Sequence, residues 1–100
     1  EFSELCKKQK TFTLFYANWC GHCKNMKPEW ESAAKLANAD GTKRMVMIDL
    51  ADESEAKAQL AKDYNIRGYP TIMHVDGQQN TSAYEGERTK DAFLKELGLQ

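Results

Sequence analysis

The chain has 100 residues, 41% of them hydrophobic and 29% charged, and carries a net charge of −1. That size suits one domain around one core, since folding such a chain buries roughly 60–70% of the surface its unfolded form exposes. The balanced charge without a basic stripe argues against nucleic acid as a partner, and no apolar stretch approaches the ~18 residues of a membrane helix, so membrane insertion is not expected either.

In chain order, Phe2 to Lys8 reads as a short helix. Ser3 can cap it, Phe2 and Leu5 share a face, and Lys7, Lys8 and Lys10 read as solvated surface. Thr11 to Ala17 is rich in β-branched and aromatic residues and reads as a strand buried on both faces. Asn18 to Gly21 breaks it. From Cys20 to Asn38, residues Cys23, Met26, Trp30, Ala33, Ala34 and Ala37 recur at three- and four-residue steps, which predicts a long helix. Pro28 removes one backbone donor inside it and predicts a kink. Asp40-Gly41 ends the segment, and Met45 to Leu50 is a second apolar strand. A further helix starts at Asp52 or Ser54, with Ala56, Leu60, Ala61 and Tyr64 inward, and Ile66 to Pro70 is a loop. Thr71 to Val75 reads as a strand; Asp76-Gly77 signals a hairpin into an antiparallel strand near Thr81 to Tyr84. Thr89 can cap a last helix with Phe93, Leu94 and Leu97 inward and Gly98 at its stop. The order α-β-α-β-α-β-β-α predicts an α/β domain, a mixed central sheet with helices on both faces.

Three cysteines are too few for a disulfide scaffold, and Cys20-Gly21-His22-Cys23 sets two of them between a buried strand and a long helix. A thiolate is the nucleophile in disulfide exchange, yet a free thiol titrating near pH 8.5 is only about 3% ionised at pH 7. The unpaired amides and partial positive charge of a helix N-terminus favour the thiolate, and a drop of about two pKa units makes it the main form. Cys20 would sit there, and Cys23, one turn on, would bring its sulfur within reach. Cys20 can then attack a substrate disulfide and Cys23 can resolve the mixed disulfide, while the His22 imidazole can stabilise the Cys20 thiolate and make the disulfide a better oxidant. Two other readings of the pair are zinc binding and an inert bridge. A structural zinc site needs about four ligands, and only Cys6, His22 and His74 are to spare. So short a bridge closes almost no chain entropy. Redox chemistry is the leading reading, with no metal and no cofactor beyond the Cys20–Cys23 disulfide itself.

The stretch Phe15-Tyr16-Ala17-Asn18-Trp19-Cys20-Gly21-His22-Cys23-Lys24 resembles the catalytic domains of the protein disulfide isomerase family. Pro28-Glu29, Asp49, Arg67-Gly68-Tyr69-Pro70-Thr71 and Tyr84-x-Gly86-x-Arg88 extend the likeness from Phe2 to Leu97. The resemblance implies a thioredoxin-like fold over residues 1–100, with Cys20 as nucleophile, Cys23 as resolving thiol, and Gly21 and His22 within the catalytic motif. It further implies that Pro70 is the cis-proline facing the disulfide, and that the Tyr69 backbone pairs with extended substrate, with Trp19 and Tyr69 lending apolar contact. Arg88 resembles the family arginine that swings toward the resolving cysteine. The remaining residues have plainer readings: Trp30 as core, His74 as a solvent-facing strand residue, Cys6 as an idle thiol.

Three positions depart from the family pattern. Leu14 stands where a buried acid six residues before the first cysteine is usual, which implies that Cys23 leans on Arg88 or water and releases substrate more slowly. Asn18 replaces the usual Pro. The family's N-terminal edge strand has no counterpart, so a sheet of four to five strands is expected, in a domain excised from, or the mature part of, a longer protein. The implied activity is thiol–disulfide exchange with unfolded or partly folded cysteine-containing polypeptides in the endoplasmic reticulum lumen, with glutathione or an upstream oxidase as redox partner. A thioredoxin-type reductase and a peptide-binding chaperone module are the alternatives.

Overall fold

Strand β1 (Thr11–Tyr16) is the axis on which the domain is built, because both of its faces are covered. The computed structural model describes residues 9–42, 44–51, 54–77 and 80–99. The helix expected over Phe2 to Lys8, with Ser3 and Cys6, lies outside the described residues. β1 is followed by α1 (Gly21–Ala37), β2 (Met45–Asp49), α2 (Glu55–Asp63), β3 (Thr71–Asp76), β4 (Asn80–Ala83) and α3 (Lys90–Glu96). The four strands form one mixed sheet in the order β2-β1-β3-β4. β1 pairs parallel with β2 and antiparallel with β3, and β4 pairs antiparallel with β3.

Side chains alternate across a strand, so β1 divides its residues between two cores. Phe12 and Leu14 face α1 and α3, packing with Met26, Trp30, Ala33, Met45, Ile72 and Phe93. Phe15 faces the other side and packs with Tyr64, Met73 and Val75, with Leu60 and Ala61 of α2 against them. The pairing register enforces this division: Phe12 and Leu14 lie opposite Met45 and Met47 on β2, while Leu14 lies opposite Ile72 on β3. Thr11 and Thr13, buried on the Phe15 face, share a hydroxyl–hydroxyl bond of 2.9 Å.

The helical periodicity read from Cys23 to Ala37 is the buried stripe of α1, and the helix runs through Pro28 without a break. Its end is tied to the sheet by Asn38, which takes the Met45 amide on Oδ1 (3.1 Å) and gives Nδ2 to the Met45 carbonyl (3.0 Å). Ser54 and Thr89 cap α2 and α3, accepting from Lys57 and Ala92. Gly98 takes a left-handed φ of 72° beyond α3, the usual helix stop.

Two packing expectations need correction. Ala56 is exposed, because α2 is short and meets the sheet only through its C-terminal half. His74 is half-buried: β3 sets it opposite Phe12, its ring stacks on Phe12 at 4.5 Å, and Nε2 lies 2.7 Å from Glu96 Oε2 of α3.

Candidate functional site

The chemistry-bearing residues gather where β1 runs out and α1 begins. Cys20 is the N-cap of α1, with extended backbone at φ −77° and ψ 120°. A cap residue directs its side chain back at the first free amides of the helix. Here the capping atom is sulfur: Cys20 Sγ accepts the Cys23 amide at 3.3 Å. One turn on, Cys23 faces inward and is 2% exposed, against 8% for Cys20. Both thiols are free, and Ala17, Tyr16, Ala51 and Tyr69 wall them in.

The two sulfurs have opposite tendencies. The Cys20 thiol is held below its ordinary range, first by the hydrogen bond from the Cys23 thiol, then by the amides of Cys23 and His22 and by the Arg88 charge, against the opposing effect of burial. Burial, together with the same hydrogen bond, pushes the Cys23 thiol up to about 11. One shared proton therefore rests on Cys23, and the pair loses its protons in two steps. The arrangement is an outer sulfur ready to act as a thiolate and an inner one held in reserve.

Tyr69–Pro70 is a cis peptide bond, and the Tyr69 carbonyl accepts the Cys20 thiol at 3.7 Å. Trp19 is 66% exposed and its ring meets Tyr69 edge-on at 5.8 Å, so the two form an aromatic lip beside the sulfurs. A Cβ at Gly21 would meet open space, so approach to Cys20 from that side is uncovered. His22 is exposed, and its backbone amide is among the groups that hold the Cys20 thiol down. Arg88 is exposed and lines a shallow groove with Pro70, Thr71, Glu85 and Gly86, and its charge lowers the pKa of both thiols. Leu14 is fully enclosed in the aromatic core with Phe12, Met26 and Trp30. Sequence reasoning missed the Tyr69 carbonyl as a partner for Cys20, because nothing local to either residue predicts a contact across 49 positions.

A thiol pair at a helix start, beside a cis-proline at the same end of a mixed sheet, defines the thioredoxin class. The thioredoxin family profile matches residues 1–98, and the chain belongs to that family. Among curated relatives, human protein disulfide-isomerase A6 is 42% identical over 80 residues, covering 80% of this chain and 18% of the relative. Maize protein disulfide-isomerase is 40% identical over 102 residues, covering 99% and 20%. The chain thus spans about a fifth of the length of the curated relatives it matches. Among solved structures, the first thioredoxin domain of mouse protein disulfide-isomerase A4 superposes with a TM-score of 0.74 at 29% identity, covering 95% of this chain and 65% of that one. The J-Trx1 fragment of ERdj5 shares the fold, with a TM-score of 0.80 at 23% identity over 98% of this chain and 46% of that one.

Proposed function

We propose that this domain is a thiol–disulfide oxidoreductase acting on cysteine-containing polypeptides, with Cys20 as nucleophile and Cys23 as resolving thiol. One observation carries the reading: Cys20 Sγ caps α1, accepts the Cys23 amide, and is the member of the pair whose proton is more easily lost. The Cys20 thiolate attacks one sulfur of a substrate disulfide, and the other sulfur leaves as a thiolate that takes a proton. Cys23 then loses its proton and attacks Cys20 Sγ. The second substrate sulfur leaves, and a Cys20–Cys23 disulfide remains. The substrate has gained two electrons and the domain has lost two. The reverse sequence oxidises a substrate dithiol, and attack by Cys20 without net transfer reshuffles bridges. Regeneration draws on an external thiol–disulfide couple, glutathione or an upstream oxidase.

Trp19, Tyr69 and Pro70 suit an extended peptide laid across the sulfurs, with the Tyr69 backbone as its hydrogen-bonding edge. Arg88, within electrostatic reach of both sulfurs, favours the thiolate that each half-reaction requires. The secretory pathway, and the endoplasmic reticulum lumen in particular, fits such work, because disulfides persist there.

The test is the reoxidation of a reduced, disulfide-containing model protein in glutathione buffer, with thiols trapped at intervals. Cys20→Ser should abolish turnover. Cys23→Ser should accumulate mixed disulfides on Cys20. Full turnover by Cys20→Ser would leave a peptide-binding module, and a potential as low as that of a cytosolic reductase would reassign the direction of transfer.

A further inference from the structure

The loop that delivers Arg88 is held by a device the chemistry above does not use. Tyr84 follows β4, and its amide donates to the Ile72 carbonyl at 2.9 Å. Its ring stands edge-on to Phe12 at 5.3 Å and packs on Phe93 at 5.9 Å, so the core fixes its base. From there the hydroxyl reaches out of the core and donates to the Glu87 carbonyl at 2.6 Å. The ring lies across Gly86, where an added Cβ would come within 2.7 Å of the hydroxyl oxygen and 2.8 Å of Cζ. Glycine is needed there for close approach. Beyond Arg88, Thr89 accepts the Ala92 amide at 3.2 Å, and Glu29 of α1 accepts the Lys90 amide at 2.8 Å. Arg88 therefore stands between two pinned stretches of backbone.

We propose that Tyr84 is a positioning residue for the disulfide chemistry: by clamping the Gly86–Glu87 backbone it sets the reach of Arg88 toward the Cys20–Cys23 pair. The inference rests on the oxidoreductase reading above. The groove shared by Pro70, Thr71, Gly86 and Arg88 joins the clamp to the site. Burial, and then the carboxylates of Glu96 and Glu87, push the Tyr84 phenol above its ordinary range, so it stays a donor wherever the thiols work. The charged groups lining the grooves at the clamp are Glu29 of α1, Glu85, Glu87, Asp91, Lys95 and Glu96, besides Arg88. Among the described residues, the charged side chain acting on both sulfurs is Arg88.

Tyr84→Phe keeps the ring and removes only the hydroxyl. The measurement is the single-turnover rate, against pH, at which Cys23 releases a cysteine-containing peptide preloaded on Cys20 as a mixed disulfide. One lost hydrogen bond predicts a rate roughly fivefold lower near neutral pH and a profile moved to the alkaline side. Gly86→Ala, which displaces the ring, should do the same. Arg88→Ala should lose more. Adding Tyr84→Phe to it should slow release no further, while still lowering urea stability, because the clamp then has nothing to aim. A merely structural Tyr84 would lower stability without moving the profile, or would slow the double variant again, and either result overturns the proposal. So does an Arg88→Ala variant that releases peptide at the unaltered rate. Full turnover by Cys20→Ser, by contrast, would sink the oxidoreductase reading itself.

Discussion

Alkylation of the two thiols against pH tests the division of labour between them. Burial pushes Cys23 up to about 11, well above an ordinary thiol. At pH 7 that leaves about one Cys23 in ten thousand ionised, against about 3% for an ordinary thiol. Enclosure at 2% exposure slows Cys23 further. Reduced protein treated with iodoacetamide, and mapped by mass so that the Cys6 peptide is read separately, should therefore carry label on Cys20 before Cys23. The Cys20 rate should rise with a midpoint below 9.0, and the Cys23 rate should climb about tenfold per pH unit toward 11. Linkage gives a companion signature. Cys23 keeps its proton in the folded state above 9.0, where the unfolded thiol has lost it, so its contribution to stability is present below 9.0 and is lost as pH rises to about 11. Cys20, with its folded pKa lowered, contributes above 9.0 and loses that contribution as pH falls through its folded pKa. Equal labelling of Cys20 and Cys23 at neutral pH, or a Cys20 midpoint at or above 9.0, would refute the shared-proton account.

Two further substitutions test the core beneath the site. Trp30 is fully buried, at 5.0 Å from Phe12 and 4.9 Å from Phe93, so Trp30→Ala should cost about 3–5 kcal/mol in urea unfolding; a loss under about 1 kcal/mol would contradict the packing. Leu14→Glu places a carboxyl among Phe12, Met26 and Trp30, and should cost about 2–7 kcal/mol while the new acid titrates above the ordinary carboxylate range. The same variant should speed release of mixed disulfides, and release no faster than in the unaltered chain would count against the reading of position 14.

Element type was legible in the sequence because local patterns carry it. The three- and four-residue steps from Cys23 to Ala37, the caps Ser54 and Thr89, and the Asp76-Gly77 turn all act within a few residues of themselves. The thiol pair was legible for the same reason, since Cys20 and Cys23 lie one turn apart on a single helix. What the tertiary structure alone decided are the meetings across the chain. The sheet order β2-β1-β3-β4 brings the Tyr69 carbonyl to Cys20 and lays the half-buried His74 ring on Phe12. The proton's preference for Cys23 likewise depends on burial that Ala51 and Tyr69, remote in sequence, complete beside the nearby Ala17. Periodicity reports which way a side chain points, but desolvation and electrostatic reach depend on what packing sets against it, and that exists only once the sheet has closed.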